Sequence, residues 1–343
     1  MYKIGLIGCG YMGQAHLIDS FSRENICIYG VCDLNRKRAE EMGRRYHVKK
    51  VYDTAGELIA DPEIDIVIIA TYPSTHLPLL KLCLENKKHV LCEKPITDNL
   101  ADGLEFVKLV KENRECKVLV GHILRHNDTY IKVKEMLDEG LIGKPLIMRM
   151  VQNHNTLGNW EKHRALIEET SPIIDCGVHY IDVMRWFTGE EVTQVDGVGT
   201  ATESDLSKGK YNYGMINVML SGGSVCFYEA GWGNSLETDN TKEFIGPLGR
   251  IKITYQRERA EHKEDGNLIS IYKYAERTTE YINVPFDEKP TGAELEHLIE
   301  MIEKNIPANP MIDDVYRSFE IVCEADKKIT EKLLKRTEQR HDE

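Results

Sequence analysis

Residues 1–33 read MYKIGLIGCGYMGQAHLIDSFSRENICIYGVCD, and this stretch decides the fold. An apolar run, Ile4 to Ile7, leads into Gly8-Cys9-Gly10-Tyr11-Met12-Gly13. A helix-like segment, Gln14 to Phe21, follows, and a second apolar run, Ile26 to Cys32, ends at Asp33. The order is strand, glycine turn, helix, strand, acid. Gly8 lets the chain turn off the strand. Gly10 lets a pyrophosphate approach the backbone, and Gly13 lets the helix lie near the sheet. The N–H groups at the start of that helix then face the phosphate, where the helix dipole favours negative charge. Asp33 lies twenty residues past Gly13, where a carboxylate accepts hydrogen bonds from a ribose diol. The stretch predicts dinucleotide binding through Gly8, Gly10, Tyr11, Met12, Gly13, Asp33 and Leu34. The alternative is a tight turn that holds no ligand.

The next ninety or so residues repeat the alternation. Leu34 to Tyr46 is charged and helix-like, Val48 to Tyr52 a short strand, and Thr54 to Ala60 a short helix. Ile64 to Ala70 is apolar on both faces, as in a buried parallel strand, and ends at Thr71-Tyr72-Pro73. His76 to Glu85 reads as a helix and His89 to Cys92 as a strand. Asp98 to Asn113 reads as a long helix capped by Asp98, and Lys117 to Gly121 as the sixth strand. Such alternation predicts a doubly wound parallel sheet, with ligands at the carboxyl ends of its strands. Those ends carry Gly8, Asp33, Thr71, Glu93 and Gly121.

The texture changes after Gly121. A helix is expected from Thr129 to Glu139, a strand from Pro145 to Asn153, a polar stretch, and then a helix from Ile174 to Phe187. Beyond Glu191 the segments alternate like antiparallel strands: 192–201, 211–220, 224–230, 242–245, 250–255, 268–272 and 278–284. Gly222-Gly223 and Gly246-Pro247-Leu248-Gly249 mark hairpin turns. Two helices, from about Gly292 to Lys304 and Asp313 to Arg336, close the pattern. The expected organisation is a dinucleotide-binding domain at 1–123, a second domain at 124–336 for substrate and oligomerisation, and a charged, frayed tail at 337–343. The second domain is expected to be a large, mainly antiparallel sheet with helices on one side. Its open face predicts a homodimer or homotetramer.

At 343 residues two domains with sizeable cores can form. A net charge of -12 argues against a nucleic-acid partner. The nine cysteines are scattered and lack a CxxC pair, which fits free thiols in a reducing compartment. No apolar run approaches a membrane span, and the N-terminus runs directly into the first strand, without room for a signal peptide. A cytoplasmic protein with no membrane partner is expected.

Two constellations could carry chemistry. Glu93-Lys94-Pro95 follows the fifth parallel strand, and the proline biases Lys94 away from helix, holding it at the sheet's carboxyl edge. The alternative is a solvated loop lysine. In Ile173-Ile174-Asp175-Cys176-Gly177-Val178-His179-Tyr180-Ile181-Asp182, Asp175 and His179 share a helix face. Ile174, Val178, Ile181 and Met184 form its apolar side, and Gly177 leaves room on the polar side. A His beside a carboxylate can move a proton near neutrality. A buried histidine satisfied by its neighbour, or a metal pair, are the alternatives, though two ligands without a third do not make a site and no metal is expected. His122 and Arg125 after the sixth strand, His154 and Trp160 in the polar stretch, and Trp232 between two glycines are candidate substrate contacts. Their alternative is a solvated loop.

Together GCGYMG, Asp33, the Thr71-Tyr72-Pro73 and His76 segment, EKP at 93–95 and DCGVHYID at 175–182 resemble the glucose–fructose oxidoreductase / inositol 2-dehydrogenase (Gfo/Idh/MocA) family of NAD(P)-dependent oxidoreductases. The resemblance covers nearly the whole chain. It implies Lys94, Asp175 and His179 as the catalytic group, a Rossmann domain followed by an open-faced sheet domain, and a cis Lys94-Pro95 bond. It adds Thr71, Tyr72, His76, Glu93 and Lys94 to the cofactor contacts. The chain departs from the family pattern in two places. Thr71-Tyr72-Pro73-Ser74 stands where a threonine, a proline and an asparagine are usual. His122-Ile123-Leu124-Arg125-His126 stands where an aromatic and paired arginines are usual.

The expected activity is hydride transfer between a nicotinamide and a secondary alcohol of a sugar, inositol or related polyol. Asp33 repels a 2′-phosphate and favours NAD, whereas Arg36, Lys37 and Arg38 could attract NADP. An NAD-dependent glycosidase using transient oxidation, or a non-catalytic NAD-binding sensor, are the alternatives. The former would release no net NADH.

Overall fold

In the computed structural model, which describes residues 1–21, 23–260, 265–285 and 289–339, the opening apolar run is strand β1 (Tyr2–Ile7). Helix α1 (Tyr11–Ser20) and strand β2 (Ile26–Cys32) follow. The alternation continues through α2 (Arg36–Arg45), β3 (Lys50–Val51), α3 (Ala55–Ala60), β4 (Ile66–Ile69), α4 (His76–Glu85), β5 (His89–Cys92), α5 (Leu100–Glu112) and β6 (Val118–Val120). The six strands make one parallel sheet in the order β3-β2-β1-β4-β5-β6. The order reverses between β1 and β4, and a doubly wound sheet opens a crevice at that point. All four residues of β4 are buried, as a strand covered on both faces requires. Local caps fix the helix starts. Thr54 and Glu57 form a reciprocal capping box on α3. On α5 the cap is Asn99, whose side chain accepts from Asp102 N at 2.9 Å, and not Asp98 as expected. Asp98 lies one residue too early and instead accepts from the Asn99 amide.

The second unit begins with α6 (Asp128–Asp138) and β7 (Ile147–Asn155). Three helices follow: α7 (Trp160–Glu169), α8 (Pro172–Asp175) and α9 (Gly177–Thr188). The polar stretch before Asp175 thus contains a helix that the sequence pattern did not reveal. Only Ile167 of α7 is buried, so no apolar stripe marks it. Strands β8 (Val192–Thr200), β9 (Tyr213–Leu220), β10 (Val225–Gly233), β11 (Lys242–Ile245), β12 (Gly249–Thr254), β13 (Asn267–Lys273) and β14 (Thr278–Val284) join β7 in an eight-stranded sheet. Its order is β14-β13-β12-β11-β7-β10-β9-β8, and every pairing is antiparallel except β7 with β10. One face buries Met148, Met150, Ile216, Val218, Tyr228 and Phe244, with α8 and α9 packed on β10. The alternate positions Ile147, Met219 and Phe227 are exposed, and Arg149 and Arg250 flank Glu243 among them. The open-faced architecture expected from the sequence is present.

Helices α10 (Thr291–Lys304) and α11 (Ile312–Gln339) complete the fold. The expected boundary at 123 placed everything beyond it in the second domain. Contacts instead group Met1–His126 with Lys289–Arg317, and Asn127–Glu288 with Ser318–Glu343. The reason is apolar. Leu295, Leu298, Ile299 and Met301 of α10 share a buried cluster with Ile4, Leu6, Ile66 and Ile68 of the parallel sheet. The expected tail at 337–343 begins inside α11, and its residues 340–343 lie outside the described ones.

Candidate active site

The glycine turn is built as its spacing predicts. Gly8 has φ +94°, and a Cβ there would stand 2.3 Å from Ala70 O. At Gly13 a Cβ would come within 1.9 Å of Gly8 O, so only glycine lets α1 sit this close to the turn. Gly10 is different: a Cβ would meet nothing within 4 Å. Space above Gly10, at the N-cap of a helix with no side-chain cap, is what an incoming pyrophosphate requires. Asp33 ends β2 with its carboxylate folded over the turn. Oδ2 accepts from Cys9 N at 2.8 Å and Oδ1 from Asn35 N at 2.7 Å. Arg38 stands 3.6 Å from Oδ2, while Arg36 is engaged with Glu40 and Asp53. Tyr11, Leu34 and Tyr72, at the ends of β1, β2 and β4, are exposed apolar side chains. Met12 is half-buried on the first turn of α1. These residues fit a dinucleotide along the carboxyl edge of β1, β2 and β4.

Thr71, after β4, bonds Thr75 at 2.7 Å through its hydroxyl. His76 is wholly buried: Nδ1 lies 2.9 Å from Pro95 O and Nε2 3.1 Å from Thr71 O. Burial holds its ring below the ordinary histidine value. From inside, His76 ties the loop after β4 to the one after β5. Lys94 is half-buried in that second loop, and its bond to Pro95 is cis. Glu93 faces inward, 3% exposed, with Oε1 accepting from His16 Nε2 at 2.8 Å. His122 and Arg125, after β6, are also buried.

In the second unit α8 and α9 are separated only by Cys176, whose backbone stays helical (φ −89°, ψ −39°). Asp175 and His179 are half-buried on either side of that joint. Cys176 Sγ lies 3.6 Å from Asp175 Oδ2. Val178, Ile181 and Met184 are buried and Ile174 is half-buried, as the apolar side requires. Gly177 does not open the polar side. A Cβ there would come within 3.2 Å of the Tyr228 ring, so the glycine lets the helix press on β10. His154 and Trp232 are register partners on the parallel strands β7 and β10. Trp232 is buried with its ring edge-on to His163, at 5.7 Å. Trp160 donates to Asp205 at 2.9 Å.

Lys242 escaped the sequence reading. It is fully buried in β11, its amine donating to Val151 O and to Asn240 O at 3.1 Å. The amine stands 4.8 Å from the Tyr180 ring, beside His179 in the chain, and 5.7 Å from the Tyr255 ring. Burial pushes it down to about 7, against the weaker pull of Glu258, Asp239 and Cys176.

Family models match both parts of the chain. Residues 2–122 match the oxidoreductase family with an NAD-binding Rossmann fold, and residues 130–252 match the GFO/IDH/MocA C-terminal domain. The chain belongs to the Gfo/Idh/MocA oxidoreductase family. A myo-inositol 2-dehydrogenase of Thermotoga maritima is 28% identical over 253 residues, covering 73% of this chain and 74% of that one. An inositol 2-dehydrogenase of Mycolicibacterium vanbaalenii is 31% identical over 195 residues, 56% of this chain and 55% of its own. The solved structure of scyllo-inositol dehydrogenase from Lactobacillus casei, with bound NAD(H) and scyllo-inositol, superposes with a TM-score of 0.78. It is 19% identical and covers 97% of this chain and 98% of that one. Among the described residues no helix is long and apolar enough to cross a membrane.

Proposed function

We propose that this protein is an NAD-dependent dehydrogenase that oxidises a ring secondary alcohol of an inositol or a closely related polyol. The observation that carries the reading is the Gly8–Gly13 turn at the strand-order reversal, with Lys94 in the loop after β5 on the same carboxyl edge of the sheet. The names of the relatives support the substrate class. Bound in this turn, a nicotinamide cofactor supplies the hydride acceptor. Gly10 and the start of α1 hold the pyrophosphate, and Asp33 accepts from the ribose hydroxyls and disfavours a 2′-phosphate. His179 takes the proton of the reacting hydroxyl, and Asp175 orients the ring and stabilises the imidazolium. Lys94 donates a hydrogen bond to the same oxygen and stabilises the charge that develops there. His122, Arg125, His154 and Trp160 are proposed polar contacts to the polyol.

The exposed apolar positions Ile147, Met219 and Phe227 support assembly into a homodimer or homotetramer through the second sheet. Nine free thiols support a cytoplasmic setting. The test is purified protein with NAD against a panel of inositols, sugars and sugar acids, followed by NADH absorbance. His179→Ala should lower kcat by ~100-fold or more while NAD still binds. An unchanged kcat removes His179 from the proton transfer.

A further inference from the structure

Three polar side chains from three elements of the first unit converge in its interior: His16 of α1, Glu93 after β5 and Glu294 of α10. They are 1%, 3% and 0% exposed. One polar atom of each lies within 4.8 Å of the others. His16 Nε2 and Glu93 Oε1 are bonded at 2.8 Å. Among the described residues neither carboxyl oxygen of Glu294 has a hydrogen-bond partner, and neither has His16 Nδ1.

Two buried carboxyl groups this close do not both ionise, because each adds repulsion to the other's cost of burial. The surroundings decide which keeps the proton. Burial opposes ionisation of Glu93, but the His16 hydrogen bond and electrostatic pull, with the charges of Lys94 and Lys289, outweigh it. Its carboxyl is held below the ordinary glutamate range. Glu294 has no such help. Burial, then the negative Glu93 and the more distant Asp19, push it well above that range, opposed only by Lys289. The charged and titratable groups facing it are therefore His16 and Asp19 from α1, Glu93 and Lys94 from the end of β5, and Lys289 before α10. A divalent cation would suit the same donor types. Yet 2.8 Å between His16 and Glu93 is a hydrogen-bond separation, shorter than the ~3.3 Å that two ligands of a tetrahedral zinc keep.

We infer that His16, Glu93 and Glu294 form a buried unit that keeps one ionised carboxylate, that of Glu93, beside Lys94, with Glu294 as the neutral acid that keeps it single. Glu93 is the residue preceding Lys94, so the unit acts on the reaction through Lys94. Its three members are positioning residues. His16 also stands on the helix that starts at Gly10, so one unit braces both the cofactor turn and the lysine loop. The role given to Lys94 rests on the function proposed above, whereas the charge state of the triad does not.

The decisive measurement is thermal unfolding of the cofactor-free protein and of Glu294→Gln between pH 5 and pH 9. Glutamine reproduces the shape of the neutral acid and cannot ionise. Folded Glu294 keeps its proton, while the unfolded chain loses it above about 4.5. The contribution of Glu294 to wild-type stability therefore falls as pH rises, and the variant lacks that fall. The two should be closest at pH 5. Above it the folded-to-unfolded ratio of the variant should gain on wild type by up to about tenfold per pH unit until folded Glu294 ionises. A constant difference, or a variant that loses ground as pH rises, overturns the charge assignment. So does stoichiometric metal that survives dialysis in wild type and is lost in Glu294→Gln. Should Glu294→Gln fail to fold, Glu294→Met carries the same test. For the link to Lys94, Glu93→Gln should lower kcat by about tenfold or more and move the alkaline limb of its pH profile to lower pH. A fall in kcat with the limb unmoved overturns that link.

Discussion

Replacing Lys242 by methionine isolates the energetic consequence of one buried amine. The side chain is fully buried between Val151, Tyr180 and Tyr255, and its amine is held near 7 in place of 10.5. A depressed amine gives the fold stability above its unfolded value, and that stability is lost as pH falls through the folded value. Between about 7 and 10.5 the unfolded chain binds the proton and the folded chain does not, so wild type gains stability as pH rises. From pH 6 to pH 9 this gain is ~2.7 kcal/mol. Lys242→Met also loses two carbonyl contacts and two aromatic faces, but those losses weigh alike at every pH. They cancel when each protein is compared with itself. In a folding unit of roughly 150–250 residues the gain corresponds to ~5–11 °C in Tm. Differential scanning fluorimetry at pH 6 and pH 9 on both proteins provides the reading. Wild type should rise by that amount relative to Lys242→Met. Equal pH responses would show that the carbonyls and tyrosine faces keep the amine charged in the fold, and the account of its depression by burial would be wrong.

Two further expectations concern the cofactor turn and the open sheet face. Gly10→Ala should leave Tm within about 1 °C, since the new methyl meets nothing in the cofactor-free protein, yet weaken NAD binding by about tenfold or more in fluorescence titration. Gly13→Ala, whose Cβ would stand 1.9 Å from Gly8 O, should instead lower Tm itself, by several degrees in the same scan. Equal behaviour of the two variants would refute the division of labour between these glycines. Phe227→Asp places a charge on the exposed face of β10 without touching the buried one. Light scattering at micromolar concentration should show a smaller species than wild type, and an unchanged mass would count against assembly through this face.

Residues 1–33 by themselves determined the β1–α1–β2 unit, the open approach above Gly10 and the place of Asp33. Each of these follows from neighbours within a few turns of the chain: apolar periodicity, a glycine whose Cβ would collide, an acid at a strand end. The places of EKP after β5 and of DCGVHYID across α8 and α9 were legible for the same reason. Where that local signal fades, the reading fails. Helix α7 was missed because it buries only Ile167, and Trp232, a candidate substrate contact expected beyond a strand, lies buried within β10.

Tertiary structure alone decided which sheet receives α10, because an apolar stripe such as Leu295, Leu298 and Ile299 suits any apolar surface. It alone brought His16 to Glu93, 77 residues away, and placed Glu294 against both. It alone enclosed Lys242 between tyrosine rings. A polar residue reads as solvated until distant segments cover it. Whether it then holds a proton, loses one or pairs depends on the charges those segments bring, and chain neighbours do not encode them.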